Sequence, residues 1–148
     1  MTDDSNEPDA AETPQPETIA AAPDPYPGDT LEAALARHKI ELPPEQFAQL
    51  AAYCALVWEW NEKMNLTRHT TFEKFVARDV VDAQALQPFI GFGDRVIDVG
   101  TGGGVPGVIL KIIRPDLDMV LTDTVGKKAR AVEDIVQRIP LKAKVHHG

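Results

Sequence analysis

Ten consecutive residues concentrate the chemistry available to this sequence: Asp98-Val99-Gly100-Thr101-Gly102-Gly103-Gly104-Val105-Pro106-Gly107. Within them, Gly102-x-Gly104-x-x-Gly107 has the spacing of a turn that lets backbone approach a nucleotide-like ligand, because glycine carries no Cβ to hold the ligand away. The spacing alone is a weak discriminator. Asp98 sharpens it. A carboxylate fixed two residues before the first glycine repels a pyrophosphate but suits a ligand with an ammonium group, as at the methionine end of S-adenosylmethionine. A second acid, Asp123, follows 25 positions later at the end of the next apolar run. There a carboxylate accepts hydrogen bonds from the ribose hydroxyls of adenosine-containing cofactors. The candidate cofactor-binding residues are therefore Asp98, Gly102, Gly104 and Asp123, with S-adenosylmethionine the cofactor expected.

Other chemistry-bearing residues leave two readings open. Lys127, Lys128 and Arg130 begin a helical stretch beside Asp123. Cations there oppose the helix dipole, so they are either contacts for RNA phosphates or part of a solvated charged face. Asp79 and Asp82 share a helical face, as an acid/base pair or half a metal site, or as partners of Arg78 and caps of backbone groups. Trp58 and Trp60 carry rings that can stack on bases, although Trp58 falls on an apolar stripe and is expected in the core. His38, His69, His146 and His147 lack metal-ligand spacing, and no metal is expected. Cys54, the single cysteine, sits in Ala-Tyr-Cys-Ala-Leu and reads as a small buried hydrophobe rather than a nucleophile.

The elements that must position these residues are legible from periodicity. Arg95–Val99 is a short apolar run ending in glycines, the pattern of a buried parallel strand. A helix is expected from Pro106 to about Ile113, a strand over Asp118–Asp123, a helix over Lys127–Arg138 and a strand starting at Lys142. This alternation is α/β, the first half of a doubly wound, Rossmann-like sheet. Since such a sheet needs strands on both sides of its first one, the sequence is expected to be a fragment or a truncated product, with residues 94–148 a partial domain.

Ahead of it, three helical stretches form an N-terminal extension over residues 30–93. The first starts at a cap, Asp29 or Thr30, and runs to about Lys39. The second runs from Pro44 to about Met64, with Phe47, Leu50, Ala51, Cys54, Val57, Trp58, Asn61 and Met64 inward, and the third from about Phe72 to Phe89. Residues 1–29 are acidic and Pro-rich, with too little apolar surface to offset the entropy of ordering, and are expected to be disordered.

The formal net charge of −8 describes that tail. Eight of the 23 acids lie within the first thirty residues, which hold no Lys or Arg, and the remaining 15 acids are matched by 15 bases. The rest of the chain is thus not an acidic body that must repel nucleic acid. No apolar run is long enough to span a membrane, no signal or transit peptide is evident, and a cytoplasmic monomer is expected.

Three stretches together resemble one family, the bacterial ribosomal RNA small-subunit methyltransferase G, also called glucose-inhibited division protein B. They are Trp60-Asn61-x-x-x-Asn65-Leu66-Thr67, Asp98 to Gly107, and Leu121-Thr-Asp123-Thr-Val-Gly126-Lys127-Lys128. The resemblance covers residues 30–148. It implies a class I S-adenosylmethionine-dependent methyltransferase fold, and methylation of N7 of a guanine in 16S ribosomal RNA on the small ribosomal subunit. It adds Gly100 and Val105 as cofactor contacts. The family's further cofactor residues fall after Gly148, and Asp79 stands where the family usually has histidine. Guanine N7 already carries a lone pair and no proton, so no catalytic residue is assigned. Two other readings stand beside this one: a NAD(P)-binding oxidoreductase fragment using the same glycines, and an inactive remnant or RNA-binding module.

Overall fold

The computed structural model describes residues 27–148. The expected disorder of the tail falls on residues that lie outside these, except at its end. Asp29 is buried, and its carboxylate oxygens accept hydrogen bonds from the amides of Phe72 and Glu73 at 3.0 Å each. The packed chain therefore includes Asp29. Of the two residues read as caps for the first helix, Thr30 does that work and Asp29 caps the third helical stretch instead.

The helices form where periodicity places them. Helix α1 (Leu31–Arg37) starts at Thr30, whose hydroxyl accepts from the Ala33 amide, and buries Leu31, Ala34 and Leu35. Helix α2 (Pro44–Asn61) begins on proline, which lacks an N–H that the first turn would leave unpaired. It ends before the expected Met64, in a tightened turn closed by the Lys63 amide on the Trp60 carbonyl. The stretch expected at 72–89 is helical throughout but irregular. An α-turn, α3 (Phe72–Lys74), widens into a π-helical segment (Phe75–Val80), returns to α4 (Val81–Leu86) and closes in a 3-10 turn (Gln87–Phe89).

Strands β1 (Arg95–Val99), β2 (Asp118–Asp123) and β3 (Ala143–His147) form a parallel sheet in the order β1-β2-β3. Helix α5 (Gly107–Ile113) joins the first two strands and α6 (Gly126–Arg138) the second and third. Each strand pair is joined through a helix because parallel strands cannot be connected by a tight turn. Register aligns Ile97 with Val120 and Lys144, and Asp98 with Leu121 and Val145. Side chains alternate between faces. Met119, Leu121 and Asp123 therefore face one way and are buried, while Ile97 and Val99 face the other and are 57% and 80% exposed.

The expectation of a buried first strand is corrected by that exposure. The helical core lies on the Leu121 face alone among the described residues, and Phe89 and Phe92 are exposed as well. Helix α2 packs against both α5 and α6, so the extension and the α/β unit share one core containing Leu50, Ile109, Leu121 and Ile135. Burial of each such side chain contributes about 1.5–3 kcal/mol. No helix among the described residues is long and apolar enough to cross a membrane.

Candidate functional site

The turn that leaves β1 is held from inside by Asp98. Its Oδ2 accepts from the Thr101 hydroxyl at 2.7 Å and from the Gly107 amide at 2.9 Å, tying both ends of the glycine loop to the strand. Burial pushes the Asp98 carboxyl above its ordinary range, and the nearby Asp123 adds to this. The bonds from Thr101 and Gly107 pull the other way. Oδ1 of Asp98 has no hydrogen-bond partner among the described residues.

Asp123 ends β2 and is buried. Its Oδ2 accepts from the Gly102 amide at 2.9 Å and its Oδ1 from the Val125 amide at 2.8 Å. The carboxylate thus joins the glycine loop to the turn that starts α6. The two acids picked from spacing come together here, and both serve the loop's own architecture.

The glycines divide by what surrounds them. Gly100 and Gly102 have φ of +74° and +59°, and a Cβ at either would enter open space. Neither position is packed against by other atoms among the described residues. Gly107 has no room at all, since a Cβ there would meet the Leu121 side chain and come within 2.7 Å of Asp98 Oδ2. Gly104 is packed by Val108, and Gly103 lies on the Leu66 carbonyl. Val105 is half-buried and borders a small cavity shared with Thr67, His69 and Asp79.

Behind the loop stands the segment with the Trp-Asn pattern. Asn61 is buried, and its side-chain oxygen accepts from the Leu66 amide at 2.8 Å and the Thr67 amide at 3.1 Å. That explains the spacing from Asn61 to Leu66 and Thr67. Trp60 donates its indole N–H to Asp134 of α6 at 2.9 Å, with the Lys63 ammonium 5.0 Å from the ring centroid. Trp58 is core, as expected, and donates to the His69 carbonyl at 3.0 Å. Cys54 is buried, which pushes its thiol well up, in line with a packing role.

Three contributors were not evident in the sequence. The Tyr53 hydroxyl donates to the Gly103 carbonyl at 2.7 Å. It lies one step off the inward stripe of α2, a helix buried over more than one face, so periodicity does not single it out. Thr101 is 2% exposed and grips Asp98, and the signal was its position three residues after an acid in a turn. His69 lies 3.0 Å from Asp79, which is thereby paired with an imidazole rather than with Arg78.

Lys127, Lys128 and Arg130 sit in the first turns of α6, with Lys127 and Arg130 exposed and none of the three in an ion pair among the described residues. Arg130 and His147 both approach Gly126 at the same end of the sheet as the glycine loop. No group of three or more His, Cys, Asp or Glu among the described residues is placed to hold a metal ion.

Comparison with known proteins places this geometry in context. The family described as GidB, rRNA small subunit methyltransferase G, matches residues 46–147. A curated protein of Rhodopirellula baltica, named Ribosomal RNA small subunit methyltransferase G, is 40% identical over 113 residues, covering 76% of this chain and 49% of that protein. Proteins of the same name from Clostridium novyi and Photorhabdus laumondii are 34% and 38% identical, covering 75% of this chain and 46% and 53% of theirs. The chain spans about half the length of the curated relatives it matches. A crystal structure from Plasmodium falciparum, described as a protein-L-isoaspartate O-methyltransferase in complex with S-adenosyl-L-homocysteine, superposes with a TM-score of 0.47 at 16% identity, covering 79% of this chain and 59% of that one.

Proposed function

The chain belongs to the ribosomal RNA small subunit methyltransferase G family, and from that premise we propose that it binds S-adenosylmethionine over the Gly100–Gly104 turn and serves methyl transfer to N7 of a guanine in 16S ribosomal RNA. The observation that carries the reading is the Asp98 carboxylate at the end of β1, with one oxygen committed to the loop and the other without a hydrogen-bond partner among the described residues, next to a turn whose Gly100 and Gly102 are unpacked. A cationic amino-acid end fits that oxygen, and a diphosphate does not.

The bound cofactor would supply an electrophilic methyl group on a sulfonium. Everything asked of the protein is placement. Asp98 Oδ1 would orient the ammonium, and the backbone at Gly100 and Gly102 would lie along the ligand. Asp123 is buried and already holds Gly102 and Val125, and a ribose hydroxyl would donate to a remaining lone pair of its carboxylate. N7 of guanine attacks with its own lone pair, the new N–C bond forms as the S–C bond breaks, and the electron pair leaves on sulfur. No proton moves, so alignment rather than a base provides the catalysis. Lys127, Lys128 and Arg130, cations without acidic partners among the described residues, are assigned to RNA phosphates. The small ribosomal subunit is the partner that this chemistry implies.

Incubation of this chain with methyl-labelled S-adenosylmethionine and small subunits lacking the modification tests the reading. Label on a single guanine of 16S RNA, cleavable after borohydride and aniline treatment as N7-methylguanine is, supports it. Cofactor binding without any transfer to RNA counts against it.

A further inference from the structure

Residues 66–69 form the floor of the glycine loop, for the Leu66 carbonyl lies so close that a Cβ on Gly103 would come within 3.1 Å of it. Three ties hold this floor. Asn61 caps the Leu66 and Thr67 amides, Trp58 donates to the His69 carbonyl, and His69 Nδ1 meets Asp79 Oδ1 at 3.0 Å. The first two reach only α2. The third crosses to the π-helical segment, and widened turns of that kind recur at functional sites.

Asp79 is an unusual choice for that position. Its side chain is 10% exposed and takes its only hydrogen bond among the described residues from His69, itself one-third exposed. The titratable groups that face it are Tyr53 and Cys54 from α2, Asp82 from α4 and His69 from the floor, so the imidazole is the one group among them able to carry positive charge. Removing it strands a buried carboxylate, the costly way to break such a pair. The resemblance leads one to expect histidine at position 79. Here the imidazole arrives from His69, ten residues earlier, and borders with Asp79, Thr67, Gly103 and Val105 the same small cavity.

We propose that His69 and Asp79 are a positioning pair that clamps residues 66–69 against Gly103 and so sets the shape of the cofactor loop from behind. The proposal rests on the cofactor reading only through the ligand used to probe it. The test compares the unaltered chain with His69→Ala, Asp79→Ala, the double variant, and the exchanged variant His69→Asp with Asp79→His. Two readouts are taken: calorimetric titration with S-adenosylhomocysteine, and hydrogen exchange at the amides of Gly102 to Val105. Each alanine variant is expected to lose about tenfold in affinity and to speed exchange in the loop while β2 amides stay protected. The double variant should be no worse than the poorer single one, and the exchanged variant should recover part of the loss. Single variants that bind within about twofold of the unaltered chain with unchanged loop exchange, or a double variant whose losses add, would overturn the proposal. Should an alanine variant fail to fold, Asp79→Asn, which keeps an acceptor oxygen, and the exchanged variant carry the same two readouts. If the unaltered chain ignores S-adenosylhomocysteine, the cofactor reading fails while loop exchange still decides this one.

Discussion

The phenol of Tyr53 donates a 2.7 Å hydrogen bond to the carbonyl of Gly103, and the two residues lie fifty positions apart in the chain. The bond makes the helical extension part of the support of the glycine loop rather than an appendage to it. Burial, with Asp79, Cys54 and Asp98 nearby, pushes the phenol well above its ordinary range, so it remains a donor at physiological pH. Tyr53→Phe removes the donor and leaves a buried carbonyl unpaired, at a cost of about 1–3 kcal/mol. Urea denaturation should register that loss, together with weaker S-adenosylhomocysteine binding.

Asn61 pairs two backbone amides that nothing else among the described residues satisfies. Asn61→Ala should therefore destabilise the chain by about 2 kcal/mol or more, whereas Asn61→Asp, which keeps the acceptor oxygen, should be far milder. Denaturation midpoints of the two variants, measured side by side, check the ranking.

Gly102 and Gly107 should fail in different ways. Alanine at Gly102 meets open space but a left-handed backbone, which costs about 1–2 kcal/mol, and its methyl projects into the space the proposed ligand would take. Stability should fall modestly and ligand affinity strongly. Alanine at Gly107 collides with Leu121 and Asp98, so overpacking of about 3 kcal/mol should show directly as a lower melting temperature.

Asp98 predicts a pH effect with a definite sign. Its carboxyl is held above the ordinary value in the free protein, chiefly by burial. The folded chain therefore binds more protons than the unfolded one between those two values, and the contribution of Asp98 to stability is greatest below the unfolded value and declines as pH rises through the folded one. A bound ammonium favours the carboxylate, so S-adenosylhomocysteine binding should release protons between those two values. Calorimetry in buffers of different ionisation enthalpy measures the release. Asp98→Asn should be no less stable than the unaltered chain at pH 7 and should lose the ligand.

Ile97 and Val99 are exposed on the open face of β1, which among the described residues is an edge strand, and Phe89 and Phe92 are exposed as well. Such surfaces favour association. Sedimentation should show self-association rising with concentration, and Ile97→Lys with Val99→Lys should suppress it without lowering the melting temperature.

Strand and helix positions were readable because their periods are written in single residues: the 3/4 spacing along α2, and the apolar runs that end at Val99 and Asp123. The loop was readable because glycines between a strand and a helix serve few purposes. The exposure of β1 is not legible in its sequence, because an apolar run reports what a strand can bury, whereas Ile97 and Val99 show what its neighbours cover. Tyr53 and His69 depend on partners fifty and ten positions away, and no local pattern encodes such pairings, whereas Thr101 sits three residues after its partner. The uses of Asp98 and Asp123 as loop ties were hidden for the same reason, although their positions were not.

The most direct measurement is a calorimetric competition on the unaltered chain between S-adenosylhomocysteine and NADH. A sulfur-bearing amino acid ligand that binds, is not displaced by the dinucleotide, and is lost in Asp98→Asn is the predicted result. NADH seated over the glycine turn with S-adenosylhomocysteine excluded would contradict the claim that Asp98 selects the ligand.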